Sequence, residues 1–287
     1  MIRKSIIIAI LLFISYCFFI VKSPRWWHAS QHQWQENIIK AQDFIYESHD
    51  SIKSVIIGTS LSSHIIMDSL PLIYNLSFSG QSIFDGLKIL IEKEKPPKTI
   101  FVEMNILLKE EDENFISTLT SSILFYPKKY LPALKEDKQP IGVFGKLLLV
   151  SINKHFTHNK TPKSGSINSE KKSLLFNKML LIKKKDYVKL PEQNLINKQF
   201  NQLFKLINII ENKGSKIVFF EMPINSELTN LVQPKVIRNS FYNIFPKSIY
   251  KYIPIQDSIQ YQTNDGLHLT KDEAVKYTTY LKSKMKA

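Results

Sequence analysis

A serine near the amino end and an acid–histidine pair near the carboxyl end are the residues of this sequence best suited to covalent chemistry. Ser60 follows Gly58-Thr59, and Asp265 stands three residues before His268 in the segment NDGLHLT. A histidine can take the proton of a serine hydroxyl, and a neighbouring carboxylate can hold the imidazole in the productive tautomer. These side chains predict a nucleophilic serine and its general base, provided that the fold brings both ends of the chain together.

Each segment alone also has a plain structural interpretation. GTSLS can be a serine-rich helix cap, and DGLH can be a turn that carries a surface histidine. The distribution of glycine favours a site, because four of only eight glycines fall in or beside the candidate segments: Gly58, Gly80, Gly86 and Gly266. Gly80, in the segment NLSFSGQS, could bring a backbone N–H close to a bound oxygen.

The elements that must position these residues follow a strand–helix alternation. Short apolar runs that end in polar or glycine residues predict four strands, which are Ser54–Ile57, Ile73–Phe78, Thr99–Met104 and Lys216–Glu221. Helix-spaced apolar stripes predict helices at 31–51, 83–94 and 194–211, and a last helix from Thr270. This alternation is typical of a parallel sheet with helices on its faces, and ligands bind such sheets at the carboxyl ends of the strands.

The order and spacing of these segments resemble the SGNH, or GDSL-like, hydrolase superfamily. Its members have a nucleophilic serine after the first strand, an oxyanion glycine after the second, an oxyanion asparagine after the third and an Asp-x-x-His near the carboxyl end. The matching segments here are VIIGTSLS (55–62), YNLSFSGQS (74–82), IFVEMN (100–105) and NDGLHLTKDEA (264–274). The resemblance implies a three-layer, flavodoxin-like α/β domain.

The resemblance also implies roles for individual residues. Ser60, Asp265 and His268 would form the catalytic triad, and Gly80 and Asn105 would bind the oxyanion. Two departures stand out. First, a threonine at position 59 replaces the aspartate of the family's GDS motif. Second, the third segment reads Glu-Met-Asn at 103–105 instead of Gly-x-Asn-Asp, and the sequence leaves open whether the glutamate shapes the pocket or pairs with a lysine. The α/β-hydrolase alternative requires Gly-x-Ser-x-Gly, and position 62 is a serine.

The first 30 residues read as a membrane anchor. The apolar run Ser5–Val21 is just long enough to cross a bilayer, and basic residues flank it. A cleaved signal peptide is the alternative, but the run is longer than the usual apolar region and no small-x-small cleavage site follows it. We therefore predict an anchor at 1–30 and an SGNH-like domain at 31–287, with an insertion at about 106–190.

The formal net charge of +14 does not by itself exclude any class of binding partner. A nucleic-acid motif and an interleaved pattern of basic and aromatic residues are both missing from the sequence, so we predict no nucleic-acid partner. An anionic lipid surface or an acidic glycan suits the charge better. His155 and His158 have metal-ligand spacing but no acidic or cysteine companions nearby, so we predict neither a metal nor a cofactor.

The resemblance extends to a cellular setting. A single-pass anchor with a GTS-type nucleophile is similar to proteins that O-acetylate envelope polysaccharides, often beside a multi-spanning membrane acyltransferase. This implies a serine O-acyltransferase that works on an acylated glycan or acyl donor, held in the bacterial inner membrane with its catalytic domain in the periplasm. A carbohydrate esterase is the close alternative, and a non-catalytic scaffold in polysaccharide assembly is the distant one.

Overall fold

The structure is a computed structural model that describes residues 2–24, 30, 32–46, 52–93, 95–156, 169–256 and 259–285. The chain divides into two compact units. The N-terminal unit comprises Met1–Glu47 and Asn114–Gly165, and the sheet unit comprises Ser48–Glu113 and Ser166–Ala287. The predicted insertion therefore contributes residues to both units.

The sheet unit is built on five parallel strands. They are β1 (Ser54–Ile57), β2 (Ile73–Asn75), β3 (Thr99–Glu103), β4 (Lys216–Phe220) and β5 (Lys251–Tyr252). Their order is β2-β1-β3-β4-β5, with every neighbouring pair parallel. This is the flavodoxin-like order, in which the chain reverses direction across the sheet at β1 and β3 and leaves a crevice at the strands' carboxyl ends.

The helices of the described residues are, in chain order, α1 (Ile2–Lys22), α2 (Gln33–Tyr46), α3 (Ser60–Ser63), α4 (Ile83–Ile91), α5 (Glu113–Thr120), α6 (Ser122–Tyr130), α7 (Pro140–Phe156), α8 (Ser169–Tyr187), α9 (Gln193–Asn212), α10 (Ser226–Thr229), α11 (Val232–Ile244) and α12 (Lys271–Met285). The longer helices of the sheet unit bury helix-spaced apolar stripes. In α9 the buried stripe includes Phe200, Leu203, Ile207 and Ile210, which is the spacing of one helix face.

The predicted fold class is confirmed. Four strands lie where the apolar runs predict them, and a single helix in the described residues, α1, is long and apolar enough to cross a membrane. The predicted strands at 73–78, 99–104 and 216–221 are shorter in the structure, because β2 ends at Asn75, β3 at Glu103 and β4 at Phe220. The fifth strand was missed, since β5 has only two residues and carries no apolar run.

Candidate active site

Ser60 is presented by a tight turn between β1 and α3. Thr59 is the N-cap of α3, and its Oγ1 accepts a hydrogen bond from the Leu61 N–H at 3.3 Å. Ser60 is consequently the first residue of this short helix, just past the carboxyl end of β1. Gly58 is required at the turn, because a Cβ there would lie 2.0 Å from Ser62 Oγ and 2.5 Å from Glu103 Oε2.

The carboxylate of Glu103 fixes this turn through hydrogen bonds. It is fully buried at the end of β3 and accepts hydrogen bonds from the backbone N–H groups of Thr59 (2.9 Å) and Ser62 (3.2 Å). It also accepts from the hydroxyls of Thr59 (2.8 Å) and Ser62 (2.5 Å). Burial raises the pKa of Glu103, and these hydrogen bonds partly offset that rise. Within the described residues Glu103 thus pairs with no lysine, and its carboxylate positions the turn that carries Ser60.

The histidine lies on a short closed loop before α12. An antiparallel bridge joins Thr263 to Leu269, and the Asn264 N–H donates to the His268 carbonyl at 2.7 Å. Gly266 at the tip has φ of 93°, a left-handed conformation that favours glycine. One Asp265 oxygen, Oδ1, accepts from the N–H groups of Leu267 at 3.0 Å and His268 at 2.8 Å. These backbone hydrogen bonds therefore hold the Asp265 carboxylate in place independently of its contact with the His268 ring.

The three predicted triad residues meet in the structure. His268 Nδ1 lies 2.7 Å from Asp265 Oδ2, and His268 Nε2 lies 2.9 Å from Ser60 Oγ. In the tautomer that carries its hydrogen on Nδ1, the imidazole donates to the carboxylate and accepts from the serine hydroxyl. The side chains of His268 and Asp265 are 29% and 16% exposed, so a substrate can reach the imidazole while the carboxylate stays sheltered.

The carboxylate is held ionised. Burial acts to raise the pKa of Asp265, but hydrogen bonds from the His268 ring and from the His268 and Leu267 N–H groups, with the attraction of His268, hold it well below its ordinary value. An ionised carboxylate beside Nδ1 stabilises the imidazolium that forms when the ring takes a proton. The arrangement can therefore activate Ser60 as a nucleophile.

The predicted oxyanion donors have different surroundings. Gly80 adopts φ of 74°, and its carbonyl accepts from the Lys109 ammonium. Among the described residues, the backbone N–H groups of Ser60 and Gly80 have no hydrogen-bond partner, so both remain available. The Asn105 amide instead clamps Met222, because its Nδ2 donates to the Met222 carbonyl at 2.8 Å and its Oδ1 accepts from the Met222 N–H at 2.7 Å. One Nδ2 hydrogen is left for a ligand, and the role of Asn105 stays a prediction.

The packing of α8 against the loop that carries His268 was not predicted from the sequence. A Cβ on Gly266 would lie 3.0 Å from the Leu180 Cδ1 atom, so α8 packs directly on the loop that carries Asp265 and His268. Tyr187, at the end of α8, has its pKa raised to about 12 by burial and by the nearby carboxylates of Glu103, Asp265 and Asp186. The polar composition of α8 gave no signal of this position, although Leu180 belongs to a buried cluster that includes the strand residues Val218 and Phe220.

His64 is the second imidazole at the site. Its ring centroid lies 5.8 Å from that of His268 in an edge-to-face arrangement. The structure therefore places His64 beside the predicted general base, His268. The other histidine pattern, His155-x-x-His158, includes a residue outside the described part of the chain.

Comparisons with known proteins add little to this geometry. No protein-family model matches the chain, and no curated protein matches it. A solved structure from Streptococcus pneumonia, provisionally described as a platelet activating factor, is similar at 13% identity with a TM-score of 0.43, over 88% of this chain and 92% of that chain. The assignment of the site therefore rests on the chain's own residues.

Proposed function

We propose that the protein is an SGNH-type serine enzyme that transfers an acyl group, through an acyl-enzyme on Ser60, to a hydroxyl of a cell-envelope glycan. The observation that carries the proposal is the continuous chain of hydrogen-bond distances from Asp265 through His268 to Ser60. Ser60 and His268, 208 positions apart in the sequence, meet in the geometry that an activated serine requires. The order of the motifs along the chain supports the same family.

The first half-reaction follows from the geometry. His268 Nε2 takes the Ser60 proton as Oγ attacks the carbonyl carbon of an ester donor, and Asp265 stabilises the imidazolium. The N–H groups of Ser60 and Gly80, with the free hydrogen of the Asn105 amide, would bind the oxyanion. When the tetrahedral intermediate collapses, the C–O bond to the leaving group breaks and His268 returns its proton to the departing alcohol. An acyl ester on Ser60 remains.

The second half-reaction distinguishes the two candidate activities. A glycan hydroxyl that gives its proton to His268 and attacks the acyl-enzyme makes the protein a transferase, and water in the same place makes it an esterase. A cavity of about 440 Å³ in the sheet unit is the proposed acceptor site, although Ser60, Asp265 and His268 are not among its lining residues. Its lining includes the amides of Asn230, Gln256 and Gln260 and the ring of Tyr242. Amides and an aromatic face are groups that can bind sugar hydroxyls and ring faces, and the volume is that of a small-ligand site.

The cavity and the catalytic residues share structural supports. Met222, in the cavity wall, is the residue clamped by Asn105. Three residues further on, the Asn225 N–H donates to the Gly266 carbonyl in the catalytic loop at 2.9 Å. One segment after β4 thus borders the cavity and braces the loop that carries His268, so acceptor binding and catalysis would depend on the same backbone.

The membrane setting is part of the proposal. Helix α1 has 21 residues and, at about 1.5 Å per residue, would extend about 31 Å, enough to cross a bilayer core. We propose a single-pass anchor in the bacterial inner membrane with the sheet unit in the periplasm. A multi-spanning membrane acyltransferase that supplies acyl groups from the cytoplasmic side is the proposed partner.

Transfer and hydrolysis can be separated with a chromogenic donor. The purified full-length protein would be incubated with p-nitrophenyl acetate, with and without deacetylated envelope oligosaccharides, and acetate and acetylated sugar would be measured by mass spectrometry. Transferase activity predicts acetylated sugar in place of free acetate. Asn230→Ala should raise the KM for the sugar and leave p-nitrophenol release without sugar unchanged. Free acetate as the only product, at every acceptor tried, would identify an esterase.

A further inference from the structure

Helix α7 of the N-terminal unit is apolar on two opposite sides. Val143 is fully buried in the unit's interior, whereas Ile141 and Leu148 are 84% and 63% exposed. The stretch Pro140–Ile152 contains a single charged residue, Lys146. A helix at the surface of a protein in water normally turns a polar face outward. The outer face of α7 lacks one, so its composition does not suit contact with water.

The inner side of α7 packs against the last turns of α1. Val143 forms a buried cluster with Ile20 and Ala133. The Phe144 ring lies with its centroid 6.0 Å from that of Tyr16 and 6.3 Å from that of Phe19. The Tyr16 hydroxyl donates to the Lys138 carbonyl, just before α7, at 2.7 Å. These contacts fix α7 at a defined level along the candidate membrane-spanning helix.

The contacts with α7 lie within the candidate membrane-spanning length of α1. Tyr16 and Phe19 precede the end of α1 at Lys22 by six and three residues, so they lie about 5 to 9 Å from its end at about 1.5 Å per residue. If α1 crosses a bilayer, Phe144 is carried to the same depth. Helices that lie in the membrane interface bury their apolar faces by about 5 to 10 Å.

The length and flanking charge of α7 indicate how it would lie. The apolar stretch Pro140–Ile152 would extend only about 20 Å as a helix, which is too short to cross a core of about 30 Å. Lys129, Lys138 and Lys146 are the lysines between positions 128 and 146 that are not buried, and of the two acidic residues there Glu136 pairs with the buried Lys128 and Asp137 is buried. Such an excess of basic residues suits the anionic headgroups of a bilayer surface.

We infer that the exposed face of α7, defined by Ile141, Leu148 and Ile152, is embedded in the acyl chains of the leaflet at the Lys22 end of α1. The N-terminal unit is then a two-helix membrane anchor, in which α1 crosses the bilayer and α7 enters one leaflet beside it. The occupant of the exposed face is lipid. The inference rests on α1 crossing the bilayer and is independent of the chemistry at Ser60.

Site-directed fluorescence tests the inference on the full-length protein. Cys17 would be replaced by alanine, and an environment-sensitive nitrobenzoxadiazole label attached to Leu148→Cys. The labelled protein would be reconstituted into vesicles of phosphatidylethanolamine and phosphatidylglycerol, with and without doxyl-labelled lipid. The matched control is Asn114→Cys, an exposed polar position of the same unit. We expect blue-shifted emission and about twofold or greater quenching by doxyl lipid at position 148, and water-like, weakly quenched emission at position 114.

Two results would overturn the inference. Water-like emission at position 148, equal to that at 114, would show that the face is solvated. Blue-shifted emission that doxyl lipid does not quench would show that protein, such as a second copy of the chain, covers the face instead. Repeating the measurement with Ser60→Ala keeps the two proposals apart, because the embedding of α7 predicts the same quenching whether or not the catalytic proposal holds.

Discussion

The two units place the same kinds of apolar side chain in opposite environments. In the sheet unit Phe219, Phe241 and Phe245 are fully buried and contact one another, with ring centroids 4.9 to 6.0 Å apart. In the N-terminal unit Phe144 is 54% exposed and Ile141 is 84% exposed. These three rings make a rigid support in the sheet unit, whereas the outer face of α7 leaves apolar surface for another environment. The proposed chemistry and the proposed membrane attachment should therefore be separable by mutation.

The largest expected effect is on turnover. Ser60→Ala removes the nucleophile and should lower kcat/KM for an ester substrate by roughly 10⁴-fold or more, while membrane attachment and thermal stability are unchanged. Ser69→Ala is the matched control, because the Ser69 hydroxyl bonds to the Ile66 carbonyl away from His268. Initial rates on p-nitrophenyl acetate check the prediction. An equal loss of activity in Ser60→Ala and Ser69→Ala would contradict it.

Asp265→Asn should reduce turnover by about 10² to 10⁴-fold, because an amide cannot stabilise the imidazolium. It should also change the pH dependence of stability. The folded-state pKa of Asp265 lies below the ordinary 3.8, so its ionised form contributes stability at pH values above about 4, and the contribution is lost as the pH falls further. The difference in Tm between wild type and variant should therefore narrow below about pH 4. A difference that stays constant from pH 7 to pH 3 would refute the role of this carboxylate in stability.

Glu103 variants test the support beneath the nucleophile. Glu103→Ala leaves the buried donors of Thr59 and Ser62 unpaired and should cost about 3 to 5 kcal/mol of unfolding free energy. Glu103→Gln keeps the volume and one acceptor, so it should cost about 1 to 3 kcal/mol. Since the residue positions the turn without touching substrate, we expect kcat to fall with KM nearly constant in the glutamine variant. Unchanged kcat and Tm in that variant would show that the network is dispensable.

The smallest expected effect is that of Phe144→Ala, and Phe241→Ala in the other unit gives the comparison. Phe241→Ala should cost about 3 to 5 kcal/mol, because it opens a cavity among buried rings. Phe144→Ala should cost about 1 kcal/mol in detergent, because it loses only the ring contacts with Tyr16 and Phe19. Denaturant unfolding of both variants gives the comparison. Equal destabilisation would mean that Phe144 belongs to a packed core.

The sequence predicted most of what depends on local pattern. The apolar runs that form β1, β3 and β4 are short and bounded by glycine, proline or polar residues, so their ends could be placed closely. The spacing of Asp265 and His268 predicted a local pair, because an Asp-x-x-His loop can form its own hydrogen bonds. That His268 also meets Ser60 depends on β1 and the final loop reaching the same edge of the sheet, which only the resemblance suggested.

What the sequence could not provide depends on contacts between distant segments. Glu103 is the last residue of the buried strand β3, and no local pattern indicates that its carboxylate turns back toward Thr59 and Ser62. The amide of Asn105 could be matched to a motif, but its clamp on Met222 needs the register of β3 against β4. The packing of α7 on α1 was equally invisible, because an apolar helix gives no sign of which of its faces is covered.

The most direct test of the central claim is whether Ser60 is the activated nucleophile. The full-length protein would be treated with a fluorophosphonate at neutral pH, digested, and analysed by peptide mass spectrometry, with His268→Ala treated in parallel. The geometry predicts one adduct on the peptide that contains Ser60 in the wild type and a greatly slowed reaction in the variant. An unmodified Ser60, or equal labelling in the absence of the imidazole, would contradict the account.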